Sequence, residues 1–103
     1  MNIINFDLPP EAKVIFNSLV ENPEPGDLCC DLLCIKLASG LLIDVSWYPE
    51  YDESGRYCLA VFGRDWSDKF LEHETSSLSM LKAEIESICA IDAMATRFLS
   101  RQV

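Results

Sequence analysis

The feature that most constrains the fold is a pair of apolar runs joined by a short polar stretch, residues 41–62, LLIDVSWYPEYDESGRYCLAVF. In the first run Leu41, Ile43, Val45 and Trp47 alternate with Leu42, Asp44 and Ser46. That is the period of a strand with one face in a core. The second run, Arg56 to Phe62, carries Tyr57, Cys58, Leu59, Ala60, Val61 and Phe62 without alternation. It is expected to be a central strand with both sheet faces covered, by two helices or by a partner. Pro49, Ser54 and Gly55 supply turn chemistry between the two. The rest of the chain must extend this hairpin and cover it.

Upstream, LCCDLLCIKLASG ends in Ser39 and Gly40, a hairpin signal that adds a strand before Leu41. Downstream, the turn GRDWSD leads to Lys69–Thr75, KFLEHET, whose polarity suits an edge strand. At the N-terminal end, Ala12, Ile15, Phe16, Leu19 and Val20 have the spacing of one helical face. A helix over Pro9–Glu21 is expected, capped by Asp7 and closed by NPEPGD at 22–27. A long helical stretch from about Ser77 to Ser100 closes the chain, with Ser76 or Ser77 available as its cap. The expected fold is a single α+β domain over 1–103: an N-terminal helix, a three- to four-stranded antiparallel meander, and a long C-terminal helix packed on the sheet.

The final helix raises a difficulty. Leu78, Leu81, Ile85, Ile88 and Cys89 share one face, but at about 100° per residue Met80, Ile91, Met94 and Phe98 lie nearly opposite. Asp92 falls inside the first face, where an unpaired charge is costly to bury. Either the helix bends near Ala90, or it is straight and offers a second apolar face. Met80, Ile91, Met94 and Phe98 are therefore a candidate oligomer interface, with a twofold homodimer as its simplest form.

Composition narrows the function classes. Seventeen acids against eight bases give a formal charge of −9, spread along the chain. Such a surface repels nucleic acid and attracts basic proteins. No apolar run approaches the roughly 20 residues of a membrane span, and MNIINFDLPPEAK does not read as a secretory signal. A cytoplasmic protein with no membrane contact is the expectation. Five cysteines, an odd number, fit reduced and mostly buried thiols rather than a disulfide framework.

No motif dictates a chemistry. Glu50, Asp52, Ser54 and Gly55 mimic the first half of a calcium loop, but Val61 stands where the bidentate acid belongs. Cys30 and Cys34, if on a strand, lie about 13 Å apart at 3.3 Å per residue. Two thiolates on one zinc are only about 4 Å apart. His73 is the single histidine, and its pairing with Cys58 or Cys29 is the one nucleophile–base arrangement that a thiol enzyme could use. Phosphate cradles, dinucleotide fingerprints and serine elbows are absent from the sequence.

The functional expectation is a non-catalytic protein-binding domain with no cofactor and no metal. Tyr48, Glu50, Tyr51, Asp52 and Glu53 combine rigid aromatic area with charge and form its candidate contact surface. Trp47 belongs to the core by strand parity. A concrete version is an inhibitor or immunity-type protein that covers the basic active site of a nuclease or similar toxin. The alternatives are a dimeric structural or regulatory subunit built on the C-terminal helix, and a cysteine-dependent enzyme.

Overall fold

A computed structural model describes residues 2–63 and 67–101. Among the described residues five strands, a short 3-10 turn at Pro25–Asp27 and one α-helix follow one another: β1 Lys13–Asn17, β2 Leu33–Lys36, β3 Leu42–Tyr48, β4 Arg56–Phe62, β5 Lys69–Thr75 and α1 Leu78–Arg101. The strands form one antiparallel sheet in sequence order, β1-β2-β3-β4-β5. The architecture is α+β, a meander with one long helix laid across it. Of the turn expected at 63–68, residues 64–66 lie outside the described residues.

Strand parity decides the core. Leu33 and Ile35 of β2, Ile43, Val45 and Trp47 of β3, and Tyr57, Leu59 and Val61 of β4 all point to one face. Against them α1 sets Leu81, Ile85, Cys89 and Ala93, each buried and each four residues from the last. That spacing keeps one stripe turned to the sheet from Leu81 to Ala93. The helix is continuous from Leu78 to Arg101, so it does not end near Ala90. Ser77 caps it, its Oγ accepting the Met80 N–H at 3.2 Å. Asp92 escapes an unpaired burial by accepting two hydrogen bonds from Ser39, one from its N–H at 3.1 Å and one from its hydroxyl. The turn between β2 and β3 is thereby tied to the helix.

The N-terminal helix expected over Pro9–Glu21 is not formed. Residues 13–17 make edge strand β1, antiparallel to β2 with a bulge between Val14 and Phe16. A short run of Val, Ile and Phe is ambiguous between helix and strand, and here an available sheet edge decides for the strand. Leu19 and Val20 are buried while Ile15 and Phe16 stay exposed, so the five residues of the supposed face are split. Asn17 locks the arrangement, its Nδ2 donating to the Ile4 carbonyl at 2.8 Å and its Oδ1 accepting the Leu19 N–H at 3.0 Å. Asp7 caps nothing; its N–H donates to Glu86 Oε2 on α1 at 2.6 Å.

The sheet has five strands rather than three or four, and only one of its faces carries a helix. Cys58, Ala60 and Phe62 were expected under a second cover, yet they lie on the opposite face from α1 among the described residues. Ala60 is buried with Asp44 and Glu72 flanking it on the neighbouring strands. Small or half-buried apolar residues on β4 therefore do not require a second layer.

Candidate functional site

The loop between β3 and β4, residues 49–55, is built around the tryptophan that precedes it. Trp47 packs edge-on against Tyr57, with ring centroids 4.8 Å apart and planes at 84°. Its Nε1–H donates to the Asp52 carbonyl at 2.7 Å, so the buried indole holds the loop from beneath. Above it, the Asp52 N–H reaches the Pro49 carbonyl at 3.3 Å and the Gly55 N–H reaches the Asp52 carbonyl at 2.9 Å. Asp52 Oδ1 accepts both the N–H and the hydroxyl of Ser54, at 2.9 and 2.7 Å. The Tyr51 N–H donates to the Leu28 carbonyl at 2.7 Å and fastens the loop to the 25–30 segment.

Two backbone features follow from this packing. Tyr51 takes a positive φ of 59°, and the Tyr48–Pro49 peptide is cis. Gly55 has no room for a side chain: a Cβ there falls 2.5 Å from the Tyr48 carbonyl oxygen and 2.7 Å from Trp47 Nε1. The result is a tip whose backbone is fixed and whose aromatic side chains point outward. Tyr48 is 71 % exposed and Tyr51 58 %. Glu50, Asp52 and Glu53 are exposed between and beside them.

All five expected contact residues thus sit on one anchored loop. Hydrogen bonds from the Ser54 side chain and backbone hold the Asp52 carboxyl below its ordinary range. Among the described residues no group of three or more His, Cys, Asp or Glu is arranged to hold a metal.

The five thiols are all free and differ in exposure. Cys34 and Cys89 are buried, Cys29 and Cys58 are half-buried, and Cys30 is exposed, so burial is less uniform than the sequence implied. The Cys30 thiol is pushed up to about 11, by Glu50 first and then by desolvation and Asp31, and its Sγ–H donates to Asp31 Oδ2 at 3.7 Å. Burial pushes up Cys34 and Cys58, with Asp44 and the Glu74–Glu72 pair adding to it respectively. Cys89 is driven to about 11 by burial and by Asp92 and Glu86. His73 stands opposite Leu59 on the helix side of the sheet and bonds Glu84 Oε2 through Nδ1 at 2.6 Å. Cys58 stands opposite Glu74 on the other side, so the proposed Cys58–His73 pair is separated by the sheet itself.

One set of residues was not singled out by sequence reasoning. On the face without a helix, Asp44–Ala60–Glu72 and Ser46–Cys58–Glu74 form cross-strand rows. Asp44 is half-buried there, and desolvation together with Asp31 raises its carboxyl above the ordinary range. The polar half of the β3 alternation and the Glu72–Glu74 alternation carried that signal; joining them required the strand register. Tyr48 shares their parity on β3 and continues the acidic face into the loop.

The oligomer candidates Met80, Ile91, Met94 and Phe98 lie on the outward face of α1 and are 55 to 65 % exposed. No helix among the described residues is long and apolar enough to cross a membrane. Searches of protein-family models, curated proteins and solved structures find no match for this chain.

Proposed function

We propose that this chain is a non-catalytic protein-binding domain that docks on a basic surface of another protein through the 48–53 loop, as an inhibitor or immunity-type protein would. The observation that carries this reading is the anchored loop: two exposed tyrosines and three exposed acids on a backbone already fixed by the Trp47, Asp52 and Leu28 contacts. A pre-organised aromatic tip loses little conformational entropy on docking, and side chains of this type dominate interface energies. The net charge of −9 would steer a basic partner to it.

The test is affinity capture from native lysate at low and high salt, with the parent beside a Tyr48→Ala/Tyr51→Ala variant. A basic partner retained by the parent, released by salt and lost by the variant is the expected result. Equal capture by parent and variant would refute the role of the loop. The exposed apolar face of α1 favours a second reading, a dimeric structural or regulatory subunit, whose geometry is developed next.

A further inference from the structure

The outward face of α1 carries a regular seam. Met80, Glu84, Ser87, Ile91, Met94, Phe98 and Arg101 follow one another at alternating steps of four and three residues, the spacing by which one helix packs along another. The face lies opposite the Leu81–Ile85–Cys89–Ala93 stripe that meets the sheet, and β5 borders it on one side, where His73 bonds Glu84 at 2.6 Å. Its flanks are small, with Ala83, Ala90 and Ala95 beside the seam. Small flanking residues allow two backbones to approach closely.

From Glu84 to Arg101 the order of residues along the seam matches its own reverse. Turned end for end about a point between Ile91 and Met94, Ile91 falls beside Met94, the small Ser87 beside the large Phe98, and the acid Glu84 beside the base Arg101. Size and charge complement each other at every such layer. The chain as a whole is strongly acidic, and two copies would repel each other across most faces. This seam holds one acid and one base, which oppose each other in the reversed pairing; Glu84 Oε2 is taken by His73, and its Oε1 is the oxygen left to face the partner's base.

We propose that two copies of the chain form a twofold dimer through α1, the helices packed antiparallel with Ile91 of one beside the partner's Met94 and Glu84 facing the partner's Arg101. The sheets then lie on the two outer sides and leave both 48–53 loops free. The dimer does not depend on what those loops bind.

Sedimentation equilibrium of the full chain, from micromolar to high-micromolar concentration, tests the proposal. The mass should rise from the 11.6 kDa of one chain toward twice that value. Ile91→Glu should weaken self-association by about tenfold or more. Its far-ultraviolet circular dichroism should match the parent's, because Ile91 is exposed. Should that variant misfold, Met94→Gln serves in its place. Glu84→Arg and Arg101→Glu should each weaken the dimer, and the double exchange should recover most of the loss. A monomer at every concentration, or a dimer indifferent to Ile91→Glu and Met94→Gln, overturns the interface. A dimer that the double exchange does not restore overturns the antiparallel register.

Discussion

Gly55→Ala is the substitution with the sharpest structural consequence. The added methyl would sit 2.5 Å from the Tyr48 carbonyl oxygen, 2.7 Å from Trp47 Nε1 and 2.9 Å from the Tyr48 carbonyl carbon. Heavy atoms touch comfortably at about 3.5–4.0 Å, so the end of the hairpin must open by about 1 Å. Neither neighbour can move alone. Tyr48 is paired with Arg56 in the β3–β4 ladder, and the indole is held by Tyr57 and the Asp52 carbonyl. Overpacking of this kind costs about 1–3 kcal/mol, and losing the Trp47–Asp52 hydrogen bond adds about 1 kcal/mol. A loss of roughly 2–4 kcal/mol follows, which lowers the melting temperature of a domain this size by about 10 °C or more. Gly26→Ala is the internal control, since a Cβ at Gly26 meets nothing within 4 Å. That variant should stay within about 0.5 kcal/mol of the parent or gain slightly from a stiffer unfolded chain. Urea and thermal unfolding followed by circular dichroism separate the two. Equal stabilities for Gly55→Ala and Gly26→Ala would refute the claim that the loop is locked from beneath.

Three further outcomes test other parts of the structure. Asp44→Asn should stabilise the fold at neutral pH: the folded-state pKa is raised above the unfolded value, so ionisation opposes folding, and the opposition grows as pH rises from the unfolded pKa through the folded one. Below about pH 3 both forms are neutral and the advantage should vanish from melting curves. Asp92→Ala removes both bonds to Ser39 and frees the β2–β3 turn from α1, with an expected loss of about 1–2 kcal/mol in urea titration. Cys30, exposed yet pushed up to about 11, should alkylate slowly at neutral pH, and Glu50→Gln should speed it by removing the acidic contact that does most to disfavour its thiolate. Mass spectrometry of iodoacetamide-treated protein reads the rate, and no change in Glu50→Gln would disprove that contact.

Where the pattern was local, the sequence was enough to find it. The Ile43–Val45–Trp47 alternation placed β3, Arg56–Phe62 placed β4, and KFLEHET placed β5 with its bounds. Trp47 was assigned inward by parity and is buried. The error at β1 arose because Ala12, Ile15, Phe16, Leu19 and Val20 satisfy a helical period by spacing alone. The competing sheet edge is supplied by Leu33–Lys36, which no local window contains. The two-sided cover expected for β4 failed for a related reason. Cys58 and Ala60 are small enough to be shielded by Asp44, Glu72 and Glu74 from adjacent strands, and that shielding depends on register. The contact loop was legible as a composition, but its anchoring was not: the Tyr51–Leu28 bond and the indole beneath Asp52 join residues brought together only by the sheet.

The position of α1 after all five strands also has a meaning for synthesis. Every sheet contact joins neighbours in the chain, so the meander can begin to pair as it emerges, strand by strand. Ile4, Leu19 and Leu28 join the core on its apolar face early, but Leu81, Ile85 and Cys89 are missing until the 24 residues of α1 have been made, a wait of about 1–5 s at ordinary rates of translation. During that interval the core around Ile43, Val45, Leu59 and Val61 is incomplete. A chain interrupted after Thr75 would remain in that condition permanently, which makes the last helix the step that turns an aggregation-prone sheet into a protein.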